Sequence, residues 1–233
     1  MNRLNEKERD YIIQLVKKGK SLNYISKITG LGKSTLYYHY KKTFGKKYKD
    51  LKIEDDDDLF IGELVGLFVG DGYAFFDRKS YSYSIRFYFN NTEKEYVKEL
   101  VKLFVKNFNK SPMVYRTKNV LIIKYLSKKL FNFLLNYVGW GVSINKAGQN
   151  KKSRTVFLKD REYSDRFKIG FLRGFVDSDG YISSKKIVLA SASEIIMKQT
   201  ESFFVDLNFK YFKLSFYPDK RSNRKGMWHI YNT

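Results

Sequence analysis

Two aspartates stand at equivalent places in two similar stretches. Asp71 closes Leu64-Val65-Gly66-Leu67-Phe68-Val69-Gly70-Asp71-Gly72, and Asp179 closes Leu172-Arg173-Gly174-Phe175-Val176-Asp177-Ser178-Asp179-Gly180. Each run is apolar and spaced like a helix, yet ends on a carboxylate at the negative end of the helix dipole, where negative charge is disfavoured. Two such carboxylates brought together repel each other, and a hard divalent cation resolves that repulsion. With phosphate and water completing the shell, the pair is a candidate divalent-metal site.

Other chemistries are excluded by composition. The 233 residues contain no cysteine, which removes disulfides, thiolate zinc sites and a Cys nucleophile. Two histidines make an imidazole-based metal site improbable, so a bound metal should be a hard cation on carboxylates, Mg²⁺ or Mn²⁺. Lys and Arg exceed Asp and Glu by 45 to 24, a net charge of +21, and that excess points to a polyanion partner. The apolar run from Leu59 to Gly70 is too short to span a bilayer and contains Glu63. The Met1 region has no signal-peptide core. No membrane association is expected, and the address is cytoplasmic, with the nucleoid.

The elements that must position the aspartates form an internal repeat. Asp71 and Asp179 lie 108 positions apart, and at that one offset Ile61, Gly62, Leu64 and Gly66 match Ile169, Gly170, Leu172 and Gly174. Small residues recur at every fourth place, Gly62-Gly66-Gly70 and Gly170-Gly174-Ser178. On a helix this makes a flat stripe that lets two backbones approach closely. Facing stripes would bring both aspartates to the same end. After each motif come a hairpin, a helix and two strands, with a further helix from Ser127 to Tyr137 in the first copy. Alternation puts Tyr83, Ile85, Phe87 and Phe89 on one face, with Ser84, Arg86 and Tyr88 on the other. In the second copy Phe212, Leu214 and Phe216 oppose Tyr211, Lys213, Ser215 and Tyr217. The polar faces carry the donors that contact phosphates and base edges.

The first fifty residues read as three short helices. Asn5 and Glu8 form a capping box, Ser21 caps the second helix, and Gly30-Leu31-Gly32 turns into a third from Lys33 to Lys42. A short helix, a glycine turn and a basic aromatic helix suggest a helix-turn-helix, with Lys33, Ser34, Thr35, Tyr37, Tyr38 and His39 as candidate DNA contacts. Glu54 to Asp58 is read as acidic support for the next helix's N-terminus.

The two aspartate stretches resemble paired LAGLIDADG motifs, and their spacing resembles that of single-chain, double-motif homing endonucleases. The N-terminal helices resemble resolvase and transposase DNA-binding modules. The resemblance implies an α+β fold of two pseudo-symmetric αββαββ-type halves forming a saddle of antiparallel sheets. A helix-turn-helix domain at 1–50 precedes a first half at 51–145, a linker at 146–167 and a second half at 168–233. It implies a monomeric, site-specific double-strand DNA endonuclease of mobile elements. Asp71 and Asp179 would bind metal with help from the Gly70 and Ser178 carbonyls, and short 3′ overhangs would result. A basic residue near the metals is also implied, and Lys124 is chosen because it shares a strand face with Ile122. Val69 stands where the motif often has a first acid, while Asp177 keeps it. The second copy lacks the terminal helix of the first. A DNA-binding regulator without catalysis, or an intron RNA maturase, remains open on the same scaffold.

Overall fold

The computed structural model describes residues 4–45, 51–54, 56–141, 152–182, 186–210, 212–219 and 226–232. Tyr211, the tip of the second hairpin and most of the joint between the repeats lie outside them. The chain divides into two compact units, Met1–Asp50 and Leu51–Thr233.

The small unit holds α1 (Glu6–Lys17), α2 (Leu22–Thr29) and α3 (Lys33–Phe44). The Asn5 side chain accepts from the Glu8 N–H, and the Glu8 carboxylate accepts from Asn5 N–H, each at 2.9 Å. That reciprocal cap satisfies two N–H groups that the first turn leaves open. Ser21 caps α2 through the Tyr24 N–H, and Gly30 ends it at φ 68°, a left-handed conformation that favours glycine. Ile12, Ile25 and Leu36, one from each helix, form the core.

The large unit repeats one motif twice. The first copy runs α4 (Asp58–Gly70), β1 (Gly72–Asp77), β2 (Ser82–Asn90), α5 (Lys94–Phe108), β3 (Met113–Thr117), β4 (Val120–Leu126) and α6 (Lys128–Tyr137). A short ladder then pairs β5 (Val138–Trp140) with β6 (Val156–Leu158), with α7 (Lys152–Thr155) between them. The second copy runs α8 (Asp165–Asp179), β7 (Gly180–Ile182), β8 (Ile187–Ser191), α9 (Glu194–Asp206), β9 (Phe212–Tyr217) and β10 (Met227–Asn232). Both sheets are antiparallel and share one order, β1-β2-β4-β3 and β7-β8-β10-β9. The fold is therefore the α+β repeat expected from the sequence.

The period-two alternation of β2 sends Ile85, Phe87 and Phe89 inward. They meet an aromatic core in which Phe104 packs on Phe87 and Phe108, and the Tyr125 hydroxyl donates to Lys110 O at 2.9 Å. At the head of α4, Asp57 accepts from the Phe60 N–H, the role expected of the acidic run.

Candidate metal centre and nucleic-acid interface

The two glycine stripes face each other. A Cβ added at Gly66 would lie 2.2 Å from Phe171 O, and one at Gly174 would lie 2.1 Å from Glu63 O. No side chain fits there, so α4 and α8 meet backbone to backbone. The same contact buries Glu63, whose carboxylate is 3.4 Å from the Arg173 guanidinium. Burial raises the Glu63 pKa, and Arg173 opposes the shift. The Asp177 carboxylate accepts from the Tyr96 hydroxyl at 3.1 Å, tying α8 to α5 of the other half. The extra acid of the second motif is thus engaged with Tyr96.

This packing brings the helix ends together. Asp71 is the C-cap of α4 and Asp179 the last residue of α8. The Asp179 carboxyl carbon would be 3.3 Å from a Cβ placed on Gly70, so it leans on the opposite motif. A Cβ at Gly70 would also be 2.1 Å from Ser178 Oγ. The Ser178 hydroxyl donates back to Gly174 O at 3.0 Å, its hydrogen-bonding capacity used within its own helix. Burial pushes Asp71 up to about 7; Asp179 and Glu93 push the same way, and Lys152 opposes them. Burial likewise raises Asp179 to about 6 against the pull of Lys152.

Lys152 is the residue the sequence reading missed. Its ammonium donates to Gly72 O at 2.6 Å and to Phe68 O, and it sits 4.7 Å from the centre of the Phe68 ring. Desolvation lowers its pKa to about 7 although both aspartates favour its charged form. It therefore places positive charge at the negative end of α4, beside the carboxylate pair. Lys152 comes from α7 in the joint, where no periodicity marked it. Lys124, chosen instead, pairs in register with Arg86 and Met113 on the open face of the first sheet. It lines a cleft of about 230 Å³ with Asp77, Ser84 and Arg86. The basic residue set against the aspartates is Lys152, which α7 brings to the carbonyls at the end of α4.

The open faces collect most of the candidate contacts. Tyr73 and Phe75 pair with Arg86 and Ser84, continuing that face onto β1. Arg86 Nε is buried without a hydrogen-bond partner among the described residues. Ser84 belongs to the face by register but is 3% exposed, and its hydroxyl donates to Phe75 O at 3.4 Å. Tyr88 is partly buried, and in the second sheet Lys213 and Tyr217 are exposed while Ser215 is half-buried. In the small unit Lys33, Ser34, Tyr37 and Tyr38 are exposed on α3, with Thr35 and His39 partly covered.

Comparison with known proteins bears on this antiparallel repeat with acid-tipped helices in backbone contact, and gives it the fold of the structures it matches. Residues 166–231 match the family model described as a LAGLIDADG-like domain. The chain is similar in structure to the homing endonuclease I-DmoI in complex with DNA and Ca, at 14% identity and a TM-score of 0.54, covering 77% of this chain and 85% of that one. I-DmoI in complex with DNA and Mn gives 14% identity and a TM-score of 0.53, covering 76% and 91%. The homing endonuclease I-WcaI bound to its DNA recognition sequence is 19% identical, with a TM-score of 0.45, covering 88% and 86%. No curated protein matches the chain in sequence. Among the described residues, no helix is long and apolar enough to cross a membrane.

Proposed function

We propose that the large unit is a site-specific double-strand DNA endonuclease of the homing type, acting as a monomer with Mg²⁺ or Mn²⁺. The observation that carries this reading is the pair of carboxylates, Asp71 half-buried and Asp179 exposed, at the touching ends of α4 and α8. Two carboxylates and nearby backbone carbonyls, including those of Gly70 and Ser178, are a donor set suited to a hard divalent cation. A cluster of three or more His, Cys, Asp or Glu does not occur among the described residues, so DNA phosphate and water would complete the shell. The bound ion would supply charge stabilisation of the phosphoryl group and activation of water.

The chain's own residues do the rest. The open sheet faces, through Arg86, Tyr88, Lys213, Ser215 and Tyr217, hold the duplex and set the scissile phosphates over the aspartates. Lys152 contributes positive charge beside the carboxylates as the water oxygen bonds to phosphorus and the 3′ oxygen leaves. The small unit, through the exposed face of α3, adds affinity for the same polyanion. This matches the net charge of +21.

The test is Mg²⁺-dependent cutting of a randomised duplex library by the full chain. A consensus site cut on both strands is expected. Binding without cutting would assign a DNA-binding regulator instead, and preference for structured RNA would assign a maturase. Lys152→Met is expected to lower the cleavage rate about a hundredfold, a loss of transition-state charge stabilisation. Duplex affinity should change little, as read by gel shift in Ca²⁺; Lys124→Met should do the reverse.

A further inference from the structure

Arg86 and Lys124 stand directly opposite each other on β2 and β4, the two inner strands of the first sheet. Like charges in that position repel, and a sheet built only for stability would set a carboxylate against one of them. Among the described residues neither cation forms an ion pair, and the buried Arg86 Nε has no hydrogen-bond partner. The acid on their cleft is Asp77, and it is engaged elsewhere. Its carboxylate accepts from the Ser80 hydroxyl at 2.6 Å and from the Lys79 N–H at 2.9 Å. Both cations are half-buried, so packing restricts their swing while their charge stays uncommitted. The internal repeat supplies the contrast. Arg86 pairs with Tyr73 as Val188 pairs with Tyr181, and Lys124 pairs with Arg86 as Tyr231 pairs with Val188. The inner strands of the second sheet, β8 and β10, carry no lysine or arginine. Lys213 and Lys186 act on Tyr231 electrostatically, but from edge strand β9 and from ahead of β8.

We infer that Arg86 and Lys124 read guanines in two adjacent base pairs of the half-site under the first sheet. The target is then asymmetric, because the second sheet has no such pair of readers. The inference rests on the DNA-binding part of the function proposed above. In the major groove guanine presents two acceptors, O6 and N7, on one edge, and a guanidinium or an ammonium donates to both. Paired positions on neighbouring strands lie about 5 Å apart. Stacked bases lie about 3.4 Å apart, so the two cations reach neighbouring base pairs. Half-ordered cations on inner strands suit base edges, whereas fully exposed ones at the rim suit phosphates. Val188, which takes the place of Arg86 in the second half, offers an apolar contact to a thymine methyl instead.

The experiment is selection of bound sequences from a randomised duplex library by the full chain in Ca²⁺, with binding and not cutting as the readout. The consensus should hold two adjacent G·C pairs in one half-site and lack them at the repeat-related place in the other. Arg86→Gln should switch the preference at one of these pairs from guanine to adenine by about tenfold, since a glutamine amide pairs with adenine N6 and N7. Lys124→Met should relax the neighbouring pair, and it carries the test if Arg86→Gln does not fold. Uniform weakening across all sequences with a shallower salt dependence would make both cations phosphate contacts and overturn the inference. So would a G·C step that both variants retain, or one present in both half-sites. A chain that selects this step but never cuts supports the inference and removes the nuclease. One that cuts a consensus lacking the step does the opposite, and failure to bind any duplex overturns both.

Discussion

Asp71→Asn is expected to leave duplex binding intact and to lower double-strand cleavage at least about a hundredfold, and Asp179→Asn to do the same. Each carboxylate is half of one charge site, so the double variant should be little worse than either single one. Time courses on a supercoiled plasmid carrying the selected site measure this, and undiminished cutting by the double variant would remove the aspartate pair from the mechanism. The same substitutions should make the metal-free protein more stable at neutral pH. The Asp71 pKa is raised to about 7 and that of Asp179 to about 6, so the folded state holds their protons more tightly than the unfolded chain. Stability therefore falls as pH rises from the ordinary carboxylate range to about 7. Lys152 is lowered to about 7, so its cost is present below that pH and is relieved as pH climbs toward the usual lysine value. The metal-free protein should show a stability minimum near pH 7, which added Mg²⁺ fills in and Asp71→Asn makes shallower. Thermal melts from pH 4 to 10 with and without Mg²⁺ decide it.

Gly66→Ala is expected to be strongly destabilising. The added methyl would lie 2.2 Å from Phe171 O and 2.7 Å from Phe175 N, both backbone atoms that cannot rotate away. Relief requires α4 and α8 to separate along their whole contact, at a cost of about 3 kcal/mol or more. For a chain of this size that lowers Tm by roughly 10 °C. Gly141→Ala is the control, because its nearest neighbour is Thr155 Cβ at an ordinary 3.6 Å. A Gly66→Ala protein that melts like the control would show that the helices do not meet through their stripes. A folded Gly66→Ala protein should also lose cleavage, since moving α4 against α8 separates the aspartates.

Much of this was legible in the residues, for local reasons. The capping box at Asn5 and Glu8, the alternation along β2 and the four-residue glycine period each depend on neighbours in sequence, and each appears where it was expected. The repeat made the meeting of Asp71 and Asp179 predictable, because equal helices with equal stripes have one close way to pack. Three features were not legible. The pairing of β5 with β6 joins residues on either side of the joint, and three-residue strands carry too little pattern to be seen. Ser84 shares a face with Arg86 by alternation, yet it is 3% exposed and its hydroxyl bonds to Phe75 O on the neighbouring strand.

Lys152 is the clearest case. The chain has 45 basic residues, and nothing in the spacing of Asn150-Lys151-Lys152-Ser153 distinguishes one of them. Periodicity favoured Lys124, since a strand position can be assigned to a face, and that assignment holds. Which lysine reaches the carboxylates is a question of chain closure. By itself the sequence determined the repeat, the helix contact and the two acids, because these follow from pattern and from the absence of side chains. The tertiary structure alone decided which cation the low-dielectric site would hold beside them, because the fold brings Lys152 from the joint to the carbonyls at the end of α4.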